Sequence, residues 1–136
     1  MSTTVVINVG VPTSTPGGKY QFSPPQIRNA SNGTVVSFQF SGRPGNHSVT
    51  QSTFASPCTP SPGGFSSGFH CVGPNYNTQW QWPTWTHVVA NDQEPLWFYC
   101  AQKDLLPHCE AGMVGVINEQ AGWHSFAEFQ AKAEAL

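Results

Sequence analysis

Trp97-Phe98-Tyr99-Cys100-Ala101-Gln102-Lys103-Asp104-Leu105-Leu106-Pro107-His108-Cys109-Glu110-Ala111-Gly112-Met113 decides how this chain is read. An apolar, aromatic run over 95–100 suits a buried strand and stops on a cysteine. A loop follows, then a histidine. Four intervening residues later a methionine stands in a second apolar run, 112–118, which reads as the last strand. Three side chains able to hold a metal are thus placed on one loop between two strands, whose scaffold fixes their separation.

The rest of the chain supports a β-scaffold. Residues 34–40 are the clearest strand, with Val36, Phe38 and Phe40 on one face and Val35, Ser37 and Gln39 on the other. Residues 3–9 are rich in β-branched side chains. Tyr20 and Phe22 alternate in a short strand ended by Pro24-Pro25, and a brief strand from Ile27 leads to a turn at Asn32-Gly33. After a turn containing Gly42 and Gly45, residues 47–51 read as a strand. Residues 84–90 read as another, with Trp85, His87 and Val89 on one face. Between them, 54–83 is a long irregular stretch holding Cys58 and Cys71, of the kind that a function or a crosslink pins. Ser125 and Glu128 match a capping box, with Phe126, Phe129, Ala133 and Leu136 at helical spacing behind it, so a short helix is expected over about 125–135. The expectation is an all-β, Greek-key sandwich or barrel of seven or eight strands with one C-terminal helix, a single domain over 1–136 whose core spans about 3–119.

Composition excludes several classes. Five Lys and Arg against seven Asp and Glu, with no basic run, give no electrostatic footing for nucleic acid. No apolar run approaches the ~20 residues needed to cross a bilayer. No secretory signal precedes Val5-Val6-Ile7, which reads as a mature domain carrying an added start Met. Sequons at Asn29, Asn32 and Asn46 point to a secreted origin and are the glycosylation candidates. The carboxylates Asp92, Glu94, Asp104 and Glu110 show no acid/base spacing, and no nucleophile–base set or phosphate loop is visible, so no enzyme is expected.

Two imidazoles and a thiolate in a plane with a weak axial thioether are what a blue-copper centre requires. Cys100, His108 and Met113 supply three of these; the fourth must come from a distant strand, and His47, just after a Gly-containing turn, is the natural candidate. Singly, each has a blander reading: a surface or core histidine, a core methionine, a small buried hydrophobe. It is the joint arrangement that points to copper. His70, His87 and His124 have no partner pattern. Four Cys allow three full pairings. If all four pair, Cys100 is consumed and no such site exists; if Cys100 is a ligand, one of the other three is left over.

Here the chain resembles the cupredoxins. His47-Ser48-Val49 with Cys58 eleven residues after the His, and His108-Cys109 followed by Met113, look like the plant phytocyanins. His47-Ser-Val-Thr-Gln-Ser, Pro57-Cys58, Gly63-Gly-Phe, Pro95-Leu-Trp-Phe-Tyr-Cys100 and Gly112-Met113-Val-Gly-Val-Ile-Asn118 resemble the small secreted fungal cupredoxin-domain proteins called serine-rich. The resemblance implies His47, Cys100 and His108 as strong copper ligands, Met113 as the axial one, and a Cys58–Cys109 disulfide that leaves Cys71 unpaired. For Cys71, burial, dimerisation and pairing with Cys58 instead all stay open. Closing a loop of about 50 residues in this way stabilises the fold by roughly 4 kcal/mol in the chain-entropy model. Two departures stand out: seven residues separate Cys100 from His108, against four in most phytocyanins, and Ser48, beside Asn46 and His47, stands where many cupredoxins have the Asn that pins the ligand loop.

The function expected is one-electron transfer by type-1 copper in the extracellular space or at the cell surface. The partner would be a transient redox protein or a small-molecule reductant, met at an apolar rim of Leu105, Leu106, Pro107 and Val114. The alternatives are extracellular copper scavenging and a cell-wall glycan-binding module, the latter suggested by Trp80, Trp82 and Trp85.

Overall fold

The computed structural model describes residues 3–11, 19–42, 45–73, 82–103 and 106–136. Among them the chain forms β1 (Thr4–Val11), β2 (Lys19–Ser23), β3 (Gln26–Ile27), β4 (Val35–Phe40), β5 (Gly45–His47), β6 (Thr50–Ser52), β7 (His70–Val72), β8 (Thr84–Val88), β9 (Leu96–Tyr99), β10 (Val114–Ile117) and α1 (Phe126–Glu134). One sheet runs β2-β1-β4-β8, a second runs β3-β10-β9-β6, and β5 and β7 form a two-stranded ribbon. β1 lies parallel to β4, and β10 parallel to β3. Parallel neighbours cannot be joined by a tight hairpin, so the chain crosses over between strands instead of meandering. Among the described residues both four-stranded sheets are open, so the architecture there is a sandwich.

The core lies between the sheets. Ile7, Val9, Phe22, Val36, Phe38 and Phe40 of the first meet Phe98 and Ile117 of the second, all at 0–1% exposure. The Phe98 ring stands edge-on to Phe22 and Phe38, with centroids 4.9 and 5.4 Å apart, the geometry that aromatic quadrupoles favour. Gly115, opposite Phe98 in the β9–β10 ladder, makes room for that ring. A Cβ there would run into the ring and lie 2.9 Å from the Pro25 carbonyl oxygen.

The second sheet is covered on its outer face too. Trp97, Tyr99, Val114 and Val116 pack against Phe129 and Ala133 of α1. This explains why β10 is buried at all four positions and reads as a continuous apolar run. The helix is closed at its start as expected. Ser125 Oγ accepts from the Glu128 N–H at 3.1 Å, and Glu128 Oε1 accepts from the Ser125 N–H at 3.1 Å. Leu136, expected on the packed face, is instead 71% exposed, because the helix stops at Glu134 and Leu136 lies beyond its end.

Among the described residues ten strands replace the seven or eight expected, for two reasons. The single strand read over 47–51 is broken in two: the Ser48 N–H points at the Cys100 sulfur, 3.4 Å away, and so leaves the ladder. The chain then passes from the β5–β7 ribbon to the second sheet. The stretch 54–83 also contains β7, which no periodicity announced. Its first half is tied to β6 by backbone bonds, Gln51 N–H to Phe65 O at 2.9 Å and Ser61 N–H to Gln51 O at 2.8 Å.

Candidate metal centre

Strand parity brings Cys100 to the site. Along β9, Trp97 and Tyr99 face the helix, while Phe98 and then Cys100 belong to the inter-sheet core. The Cys100 N–H donates to the Met113 carbonyl at 3.1 Å, so the two chain segments are held side by side where the ladder ends. Met113 is fully buried in the same cluster as Cys100. Its own N–H donates to the His108 carbonyl at 3.0 Å, closing a tight turn that folds His108 and Met113 back toward each other. The neighbouring Cys109 is bridged to Cys58, 51 residues away, so the base of this turn is covalently anchored.

His47, at the end of β5, is fully buried. Glycines make space for its ring: a Cβ at Gly45 would lie 2.7 Å from His47 Nε2, and one at Gly10, where φ is +72°, 2.9 Å from it. The His108 ring stacks on Tyr20 with centroids 4.1 Å apart and planes 22° from parallel. Neither the glycine cradle nor the tyrosine was singled out from sequence. The Gly42/Gly45 turn was a usable signal for the first, whereas nothing local marks Tyr20.

Cys100 Sγ lies 3.8 Å from His47 Nδ1 and 3.5 Å from His108 Nδ1. The three donor atoms all fall within 4.8 Å of one another, and all three residues are buried. A metal bound to sulfur at about 2.3 Å and to nitrogen at about 2.0 Å, with angles of roughly 110–130°, holds the two donors about 3.5–3.9 Å apart. The residues therefore fit a soft transition-metal ion without rearrangement. Cys58, Cys109 and Glu110 also cluster, but both sulfurs there are consumed by the disulfide.

Ser48 braces the sulfur from two sides. Its N–H points at Cys100 Sγ, and its Oγ accepts from the Ala101 N–H at 2.9 Å. The Asn46 carbonyl accepts from Gln102 Nε2 at 3.3 Å and ties the His47 strand to the loop after Cys100. Burial pushes the Cys100 thiol above its ordinary pKa, while N–H groups of Gln102 and Ser48 aimed at the sulfur pull the other way. Burial also lowers the His108 pKa, favouring the neutral imidazole that binds metal.

The other expectations fall out as follows. Cys71 is exposed and Cys100 buried, and neither is in a disulfide. His70 packs on Phe40, His87 on Phe65 and His124 on Phe54. Asn29 and Asn32 are exposed and Asn46 is half-buried. On the expected rim, Leu106 is 46% exposed and Pro107 half-buried, but Val114 is buried under α1, because it follows Met113 into β10 with the opposite parity; Leu105 lies outside the described residues. Trp85 packs against Phe38 and Phe65, Trp82 is half-buried, and Trp80 lies outside the described residues.

The cradle around His47 makes a prediction. Gly45→Ala, whose Cβ would press on the Gly42 carbonyl as well as on the His47 ring, should weaken metal loading by about 10-fold or more, the range seen when support for a ligand is lost. A competition titration with a chelator measures it, and unchanged affinity would contradict the cradle's role.

The two-sheet sandwich with this donor group at one end has the cupredoxin fold. No family model matches the chain. It is similar to a protein named probable GPI-anchored cupredoxin-1 from Arthroderma benhamiae, 27% identical over 116 residues that cover 85% of this chain and 54% of that one. The chain thus spans about half that relative's length. Among solved structures, a pseudoazurin from Sinorhizobium meliloti superposes with a TM-score of 0.52 at 19% identity, covering 97% of this chain and 92% of its own. A dithionite-reduced auracyanin from the photosynthetic bacterium Roseiflexus castenholzii superposes with a TM-score of 0.55 at 15% identity, covering 85% and 94%.

Proposed function

We propose that this chain is a type-1 copper protein that carries single electrons in the extracellular space, with His47, Cys100 and His108 as the strong ligands and Met113 as the weak axial donor. The observation that carries the reading is the buried thiol lying 3.5 and 3.8 Å from two imidazole nitrogens. Bound there, copper would supply a one-electron Cu(I)/Cu(II) couple. The chain's own part is to hold the donors in place before the ion arrives. The disulfide at Cys109, the glycines around His47 and Ser48 beside Cys100 each restrain one ligand. With four protein donors, no coordination position is left for a substrate, so the role is that of a carrier and not an enzyme.

Electrons would enter and leave near His108, beside exposed Leu106 and half-buried Pro107. The partner would be a transient redox protein or a small-molecule reductant. A location outside the cell is supported by the disulfide, which suits an oxidising compartment, by the sequons at Asn29, Asn32 and Asn46, and by the name of the GPI-anchored relative. That name also favours attachment at the cell surface, next to the wall.

The test is a visible spectrum of the protein loaded with Cu(II), followed by voltammetry. An intense thiolate-to-copper band toward the red and a reversible one-electron wave are expected. A colourless copper complex would overturn the proposal, and a coloured one without a reversible wave would favour copper storage over electron transfer.

A further inference from the structure

The end of the sandwich remote from the metal carries a second recessed feature. β9 and β10 are antiparallel, with Val114 opposite Tyr99 and Ile117 opposite Leu96. Cys100 and Met113 therefore lie at one end of the sheet, and Asn118 to Ser125 at the other. There the segment after β10 faces the segment after β3 across a cleft of about 710 Å³. Arg28, Asn29, Asp92, Gln93, Gln120 and Trp123 stand on its walls. A second cleft of about 600 Å³ adjoins it and shares Gln93 and Trp123. Each volume lies within the roughly 300–1,000 Å³ of small-ligand sites.

Trp123 forms the ridge between the two. It is 55% exposed, and its ring leans on His124 with centroids 4.4 Å apart; His124 is in turn stacked on Phe54 at 3.8 Å and so fixes the base of the ridge. The walls are stitched together before any ligand arrives. Asn118 Oδ1 accepts from the Ala30 N–H and Asn118 Nδ2 donates to the Ala30 carbonyl, both at 2.8 Å. Glu119 Oε2 accepts from the Phe126 N–H at 2.7 Å. A prearranged cleft loses little freedom on binding.

Charge selects the ligand class. Arg28, the only cation among the described residues on either cleft's walls, is bound to Glu119 at 2.9 Å. Asp92 adds an acidic side chain, so among the described residues the walls of the larger cleft offer an anion no unpaired positive charge, while Lys132 lies beside the second, 5.5 Å over the Phe54 ring. Amides, hydroxyls and a carboxylate around an exposed indole instead match a neutral, polyhydroxylated ring. Such a ring lays its C–H face on the indole and points its hydroxyls at amide and carboxylate groups. We infer that the Trp123 cleft binds neutral pyranose oligosaccharides, independently of the metal centre, with Trp123 as the stacking platform and Gln93 as a polar contact shared by both clefts. This places a saccharide site away from Trp82 and Trp85.

Protein made without glycosylation, so that no sugar on Asn29 competes, would be titrated with laminarihexaose, cellohexaose and hexa-N-acetylchitohexaose, followed by indole fluorescence and by amide chemical shifts. At least one should give saturable binding. Trp123→Ala should weaken it about tenfold or more, the loss of roughly one aromatic contact. Gln93→Ala should weaken it as well, and Cys100→Ser should leave it unchanged. Copper loading of both cleft variants should match the parent, showing that their fold is intact. No saturable change with any of the three sugars, undiminished binding by Trp123→Ala, or tighter binding of a sulfated polysaccharide than of the neutral ones would overturn the inference. None of these outcomes depends on whether the copper centre is blue.

Discussion

Cys100→Ser is expected to erase the red absorption band completely and to lower Cu(I) affinity by more than about 100-fold, the upper end of what loss of a mere supporting residue costs. The band is a charge transfer from thiolate sulfur to copper, and a hydroxyl has no comparable donor orbital or softness. The substitution is close to isosteric and the site can accept it. The Ser48 N–H that faces the sulfur at 3.4 Å, and the Gln102 N–H that also bonds it, remain to serve an oxygen. The apo variant should therefore unfold within about 1 kcal/mol of the parent, as hydrogen-bonded replacements generally do. Absorption, a chelator competition and a urea titration measure the three quantities. A variant that keeps the band would remove Cys100 from the site, and one that fails to fold would make the cysteine structural.

Removing the Cys58–Cys109 bridge with the double substitution Cys58→Ala, Cys109→Ala should have the largest effect on stability. With its ends 51 positions apart in the chain, the bridge restricts the unfolded state by about 4 kcal/mol in the chain-entropy model. For a domain of this size that corresponds to a fall in Tm of roughly 10–20 °C. A second consequence is local. Cys109 adjoins His108, whose ring is otherwise held by stacking on Tyr20 and by the turn that ends at Met113. Without the bridge, copper should still bind but with lower affinity, and the band should be broader. Thermal unfolding followed with and without copper separates the two effects. A Tm within about 2–3 °C of the parent would show that the bridge contributes little, since such a shift is worth under 1 kcal/mol.

How the sequence and the structure divide the work is clearest residue by residue. β4 was legible because Val36, Phe38 and Phe40 alternate with more polar neighbours, and one face of that strand is the core. α1 was legible because a capping box is a local code: four residues contain both of its hydrogen bonds. The loop from Cys100 to Met113 was legible because three candidate donors lie within fourteen residues and strand parity carries the first of them inward. β7 and the break at Ser48 were not, since both depend on partners far along the chain, the β5 edge in one case and the Cys100 sulfur in the other. Leu136 followed the helical spacing and still ended in solvent, because spacing says which residues share a face but not where the helix stops.

Residue type and the periods of two and 3.6, which act over a few positions, carried the strand-rich architecture, the short terminal helix and the choice of candidate donors. Only the tertiary structure decided that His47 meets Cys100 across 53 residues of chain, that Cys71 is left exposed, that Tyr20 lies on His108, and that Trp123 stands between two clefts. Each of those depends on the crossover of strands and on which faces pack together, and such long-range pairings leave no periodic trace in the chain.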